Sequence, residues 1–148
     1  MNDQQKDRIE RMSFKPRGRK GIMKPIENRV DTIFVHVTNL KESVEWYSRL
    51  MGIDIGDREI RDPIFTFNMG AGRPGLTLDD HSFDQGMTLK LSNQPLFNLS
   101  TEDINAAYRH VQEMGAEIVT DIQHHPDLSD FTLKDPDGNI IMVCSCFT

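Results

Sequence analysis

The sequence predicts an α+β fold built from two βαβββ modules. The main observation is a repeat: a strand, a helix, a glycine and further strands occur twice, about 64 residues apart. The second observation is the change of period, because apolar residues recur three and four apart in the helices and alternate in the strands. Two copies cannot form a solenoid, so each sheet is expected to bury one face under its helix, and the two sheets to meet in a cupped mixed β-sheet.

The first module is expected to span about residues 30–92. Its first strand, at 30–38, is rich in β-branched and aromatic residues. Asn39 and Glu42 have capping-box spacing, and Gly52 stands where a glycine ends a helix. These signals predict one helix from residue 40 to residue 51, whose apolar face is Leu40, Val44, Tyr47 and Met51. Further strands are expected at about 53–60, 64–69 and 75–80.

The second module is expected to span about residues 93–148. A strand at 96–100 precedes a helix that either Thr101 or Asp103 caps and Gly115 ends. A strand then starts at Ile118. The segments FTLK and NIIMVCS form a hairpin around the turn Asp135-Pro136-Asp137-Gly138, in which proline and glycine have typical turn positions.

Charge is unevenly distributed along the 148 residues. Residues 1–29 contain nine Lys or Arg and four Asp or Glu, which gives a net charge of +5. Because the whole chain has a net charge of −6, residues 30–148 have a net charge of −11. This predicts a basic N-terminal arm, 1–29, and an acidic domain, 30–148. We expect an arm that is solvated or lies on an acidic surface. Nucleic-acid contact is the alternative, and repulsion between phosphate and the acidic body argues against it.

Composition also limits the location of the protein. No segment approaches the ~18 apolar residues that span a bilayer, and the first fifteen residues are too polar for a secretory signal, so we expect no membrane contact and a cytoplasmic location. Cys144 and Cys146 lie on one predicted strand. A disulfide between alternate residues is strained, and two reduced thiols are expected.

Three segments carry a resemblance to a known family: VDTIFVHVTNLKESVEWYSRLMG at 30–52, STEDINAAYRHVQEMGAEI at 100–118, and FTLKDPDGNIIMV at 131–143. Together they resemble the vicinal oxygen chelate superfamily, the glyoxalase / bleomycin-resistance / extradiol-dioxygenase group. The resemblance implies that superfamily's fold for about residues 30–145, and it implies a homodimer.

In metal-dependent members of this group, four strand positions supply His and Glu ligands. Carried onto this chain, the resemblance implies that these positions are Thr32, Leu78, Leu96 and Met142. A hydroxyl, two leucines and a thioether do not form a site for a hard divalent ion. We therefore expect a binding cup without metal or other cofactor, in which a small organic molecule lies over Thr32, Phe34, His36, Leu78, Leu96, Ser100 and Met142.

Two alternatives stay open. One is a metal-dependent lyase, isomerase or dioxygenase with one divalent ion held by displaced ligands from His36, Asp79, His81, His124 or His125. The other is a regulatory protein whose basic arm contacts nucleic acid. The segment 70–75 matches the glycine pattern of dinucleotide sites, but Pro74 and the alternating residues after it predict a strand instead of the helix such a site needs.

Overall fold

The computed structural model describes residues 25–81 and 86–146 of the chain. The chain divides between residues 30 and 31, and the following description concerns residues 31 onward. The basic arm predicted at 1–29 lies largely outside the described residues. Among the described residues, neither helix is long and apolar enough to cross a membrane.

The elements follow the predicted order, with one strand missing from the first module. In chain order they are β1 (Thr32–His36), α1 (Leu40–Met51), β2 (Ile64–Phe67), β3 (Gly75–Asp79), β4 (Asn98–Ser100), α2 (Ile104–Glu113), β5 (Ile118–His124), β6 (Leu128–Lys134) and β7 (Ile140–Cys146).

The strand expected at 53–60 is not formed, and that prediction is wrong. The carboxylate of Asp54 accepts the N–H of Gly56 at 2.8 Å, and Gly56 has a φ of 56°. Such a side-chain turn turns the backbone away from an extended path. The first module therefore has three strands, whereas the second has the four that were predicted.

The caps of both helices match their sequence signals. The Asn39 side chain accepts the N–H of Glu42 at 3.0 Å, and Gly52 ends α1 with a φ of 65°. For α2 the structure selects Asp103 from the two candidate caps, because its carboxylate accepts the N–H of Ala106 at 3.0 Å. Each cap pairs a helix N–H that has no partner inside the helix.

The strands form two mixed sheets. The first sheet has the order β1-β3-β2, with β1 parallel and β2 antiparallel to β3. The second has the order β4-β7-β6-β5, with only β4 parallel to its neighbour. The order of the second sheet repeats that of the first and adds an outer strand. The predicted α+β fold with two related modules is thus confirmed.

A single apolar core runs through both modules. It contains Val35, Tyr47 and Leu78 from the first module and Phe131 and Ile141 from the second, all fully buried. Burial of continuous apolar surface is the main driving force that holds such elements together.

The turn between β6 and β7 connects the two modules by hydrogen bonds. The buried hydroxyl of Tyr47 in α1 donates to the carboxylate of Asp135 at 2.8 Å. The N–H of Thr38 donates to the carboxylate of Asp137 at 3.1 Å, and the Asn139 side chain donates to the carbonyl of His36 at 3.1 Å. A turn that the sequence predicts from local chemistry therefore also fixes the second module against the first.

Candidate functional site

Several predicted site residues share one face of the first sheet. Thr32, Phe34 and His36 alternate along β1 with the buried Val35. The register with β3 places Thr77 beside Phe34 and Asp79 beside His36. We call this surface the outer face of the first sheet: Thr32, Phe34, His36, Thr66, Thr77 and Asp79.

Leu78 does not lie on the outer face, and the prediction that it lines the ligand cup is wrong. Its side chain is fully buried in the core on the opposite side of β3. Phe34 pairs with Thr77, whereas its counterpart Asn98 pairs with Met142. The offset between β3 and β7 is therefore 65 instead of 64. A shift of one residue moves a side chain to the other face of a strand, so Thr77 is the structural counterpart of Met142.

Threonine hydroxyls form a row across the outer face. The Thr77 hydroxyl lies 2.7 Å from that of Thr32 and 2.9 Å from that of Thr66, both within hydrogen-bonding distance. In the second sheet, the half-buried thioether of Met142 stands between Asn98 and Thr132. Hydroxyls that bond to one another and a thioether do not fit a hard divalent ion. The residues at the positions implied by the resemblance therefore do not fit the metal of that group.

One cavity formed by the described residues lies elsewhere than the predicted cup. Its volume is about 830 Å³, and apolar side chains from the core faces of both sheets and from both helices form most of its wall. Examples are Ile33, Leu50, Leu76, Leu99, Val111 and Val143. Of the seven predicted ligand residues, only Ser100 lines this cavity. Ligand contacts of Thr32, Phe34, His36, Leu96 and Met142 stay predictions.

Polar groups meet the cavity at a few places. His110 in α2 lines it, and its Nε2 lies 3.0 Å from the carbonyl of Arg49 and 3.2 Å from that of Leu50, at the end of α1. Arg73 also lines it, from the loop between β2 and β3. No sequence pattern pointed to His110, which is exposed on α2. The glycine-rich pattern did mark the Arg73 loop, which leads into β3 as predicted and not into a helix.

The displaced ligands proposed for a metal come together only in part. His36, Asp79 and His81 offer ligand atoms that all lie within 4.8 Å of one another. His124 and His125 lie at the hairpin of β5 and β6 and have other partners. His124 Nδ1 is 2.7 Å from the hydroxyl of Ser129, and His125 Nε2 is 3.1 Å from the carboxylate of Asp130.

The two cysteines lie side by side on β7. Their sulfur atoms are 3.2 Å apart, and both are free thiols in the structure. Burial, followed by the hydrogen bond with Cys146, raises the pKa of Cys144 to about 11. A thiol with such a pKa is a poor nucleophile at neutral pH, so Cys144 fits a structural role.

Comparisons with known proteins agree with this fold. Residues 29–143 match the family model described as Glyoxalase/Bleomycin resistance protein/Dioxygenase superfamily. No curated protein matches the chain.

Solved structures with the same fold share little sequence with the chain. A superfamily member from Sphaerobacter thermophilus has a TM-score of 0.63 and 17% identity over 80% of this chain and 98% of its own. Lactoylglutathione lyase from Agrobacterium tumefaciens has a TM-score of 0.59 and 15% identity over 82% and 96%. TioX from Micromonospora sp. ML1 has a TM-score of 0.59 and 13% identity over 81% and 100%. These likenesses establish the fold and leave the activity to the site itself.

Proposed function

The chain belongs to the glyoxalase/bleomycin resistance protein/dioxygenase superfamily, and on this premise we propose that it binds a small organic molecule in the cavity between its modules. In this proposal the ligand is held by apolar contact and a few polar groups, without a metal ion in the cavity.

The cavity itself is the observation that supports binding. Ligand pockets in proteins are typically about 300–1,000 Å³, mostly apolar, with a small number of polar groups that orient the ligand. The volume of about 830 Å³ falls in this range, and the wall consists largely of aliphatic side chains. Transfer of an apolar ligand surface from water to this wall supplies the driving force.

Two polar residues suggest how a ligand is oriented. Arg73 lines the cavity, and a guanidinium group pairs well with a carboxylate or phosphate. His110 presents an imidazole whose Nε2 faces the carbonyls at the end of α1. We therefore expect an amphipathic ligand, with an apolar body against the sheets and an anionic group near Arg73.

The competing proposal is a metal-dependent enzyme. One structural neighbour is titled a lactoylglutathione lyase, but at 15% identity it informs only the fold. The residue types at Thr32, Thr77 and Met142 argue against the metal chemistry of such enzymes. Ligand binding therefore has the better support.

A thermal-shift screen of small organic acids and amphipathic compounds tests the proposal. At a concentration of 100 times Kd, a ligand adds about 2.7 kcal/mol of stability. For a chain of this size that raises Tm by roughly 5–10 °C.

Two tryptophan variants make the screen specific to the cavity. Ala107 lines the cavity from α2, whereas its neighbour Ala106 is exposed on the same helix. We expect Ala107→Trp to remove the Tm increase and Ala106→Trp to keep it. An equal increase in both variants, or no stabilising compound in the whole screen, would refute binding in this cavity.

The assembly and location belong to the same proposal. We propose a homodimer in the cytoplasm, with the basic arm remaining in solution or against an acidic surface instead of on nucleic acid. Light scattering after size-exclusion chromatography checks the dimer. Deletion of residues 1–24 combined with a DNA-binding titration in low and high salt checks the arm, since phosphate contacts weaken steeply with salt.

A further inference from the structure

We propose that His36, Asp79 and His81 form a binding site for a divalent transition-metal ion, separate from the cavity. Each of the three residues offers one ligand atom, and these atoms lie within 4.8 Å of one another. In the described part of the chain, this is the group of three or more His, Cys, Asp or Glu residues spaced in this way. None of the three lines the cavity.

Parallel pairing of β1 with β3 creates the cluster. His36 and Asp79 are register partners at the ends of these strands and therefore share the outer face. The chain then turns at His81, which has a φ of 56°. In this left-handed conformation the His81 ring stacks on the His36 ring, with centroids 4.2 Å apart and planes 15° from parallel.

One hydrogen bond holds the turn. The N–H of His81 donates to Asp79 Oδ1 at 2.8 Å. A non-glycine residue in this conformation is strained, and the surrounding contacts must offset that strain. The same bond fixes the orientation of the Asp79 carboxylate, as outer-shell hydrogen bonds do for the ligands of metal ions.

The ring nitrogens are spaced for a shared ion better than for direct bonds to the carboxylate. His36 Nδ1 lies 3.9 Å from Asp79 Oδ2, and His81 Nδ1 lies 4.0 Å from Asp79 Oδ1. Both distances are too long for hydrogen bonds. His36 Nδ1 is also a buried atom for which the structure gives no hydrogen-bond partner. An ion between the three side chains would pair this nitrogen.

Small movements would complete the site. Metal–nitrogen bonds of about 2.0–2.1 Å place two ligand atoms roughly 3–3.5 Å apart, whereas the ligand atoms of this cluster lie within 4.8 Å of one another, so the side chains must move closer together. The stacked rings must also tilt toward the shared point. The His36 side chain is 43% exposed and can tilt, while Asp79, at 8%, stays fixed by its surroundings.

The ligand set indicates the class of ion. Two imidazoles and one carboxylate suit Zn²⁺, Ni²⁺, Cu²⁺ or Fe²⁺ better than Mg²⁺ or Ca²⁺, which prefer oxygen ligands. Three protein ligands leave at least one coordination position open, on the exposed side of His36. The alternative is a stacked pair of histidines beside Asp79 that binds no metal.

Calorimetric titration of Zn²⁺ into the full chain distinguishes these possibilities. The protein carries no affinity tag and is first treated with chelator and dialysed. We expect about one Zn²⁺ per chain, with binding at least tenfold weaker in His81→Gln and in Asp79→Asn. The second substitution keeps a side-chain oxygen for the His81 N–H, and far-UV circular dichroism verifies the fold of each variant.

His125→Gln is the matched control, because His125 also lies near a carboxylate, that of Asp130, but outside the cluster. It should bind Zn²⁺ as the unmodified chain does, and so should Ala107→Trp. Less than a tenth of an equivalent in the unmodified chain, or equal affinities across the cluster variants and the control, would overturn the proposal. Co²⁺ absorption spectra, which change with the number of nitrogen ligands, give a second readout.

Discussion

Removal of the Tyr47 hydroxyl tests how strongly the two modules depend on each other. In the folded chain this hydroxyl donates to Asp135 across the module boundary, and Tyr47 is fully buried. Tyr47→Phe deletes this hydrogen bond and keeps the ring, so it opens almost no cavity. We expect the variant to fold and to lose stability.

The expected loss follows from the partners of Asp135. Its carboxylate also accepts the N–H groups of Asp137 and Asn139, both at 2.9 Å, and the Asn139 side chain at 2.8 Å. Asp135 thus keeps three donors in the variant. The cost is then that of one hydrogen bond to a buried charge, about 1.5–3 kcal/mol.

Urea unfolding measures this loss. Trp46 is the single tryptophan and packs edge-on against Tyr47 at 4.8 Å, so its fluorescence reports on this contact while circular dichroism reports on the helices. Both signals should move to a lower urea midpoint with an unchanged slope, since the loss concerns stability and not the surface exposed on unfolding.

Tyr108→Phe is the control. Tyr108 donates to Asp121 with the same 2.8 Å distance, but this pair is exposed and joins residues of one module. Its removal should leave the midpoint nearly unchanged, because water replaces the lost partner. If both substitutions lower the urea midpoint equally, the buried hydrogen bond between the modules contributes no more to stability than the exposed one, and the reasoning is wrong.

Three further predictions concern ionisation and backbone conformation. Burial and the neighbouring carboxylate of Asp135 raise the pKa of Tyr47. The contribution of Tyr47 to stability is therefore present below pH about 10 and is lost as the pH rises further. Tyrosinate absorbance should show that Tyr108 ionises in the folded chain, whereas Tyr47 ionises only on alkaline unfolding. A maleimide at neutral pH should modify the exposed Cys146 at least tenfold faster than the buried Cys144, which mass spectrometry checks against Cys146→Ser, where the fast reaction should vanish. Gly138→Ala should lower the free energy of unfolding by about 1–3 kcal/mol, because Gly138 has a φ of 94° and a leucine methyl lies 3.1 Å from the added Cβ; unchanged thermal unfolding would contradict this.

Sequence signals that act over a few residues predicted the structure well. Asn39 and Gly52 bound α1 as expected, because a cap depends on bonds to backbone groups within one turn. The repeat also predicted that a strand, a helix and further strands of the first module have counterparts in the second. The exceptions are local too: the Asp54 turn prevents a strand, and one residue of offset moves Leu78 from the predicted cup into the core.

The candidate site was predicted only in part. Alternation along β1 correctly grouped Thr32, Phe34 and His36 on one face, since that follows from strand geometry alone. The cavity with Arg73 and His110 was not predicted, because it arises where elements far apart in the chain meet. Its position depends on how the two modules pack.

Residue types and short spacings were enough to predict the family, the two related modules and the caps of the helices. Each of these follows from residue identity or from short spacings. Which faces meet, and therefore where the cavity lies, depends on contacts between distant parts of the chain. The tertiary structure also decided that His36 and His81 stack beside Asp79, since parallel pairing of β1 and β3 unites residues more than 40 positions apart. Contacts at such separations depend on the packing of the whole domain, which no short segment specifies.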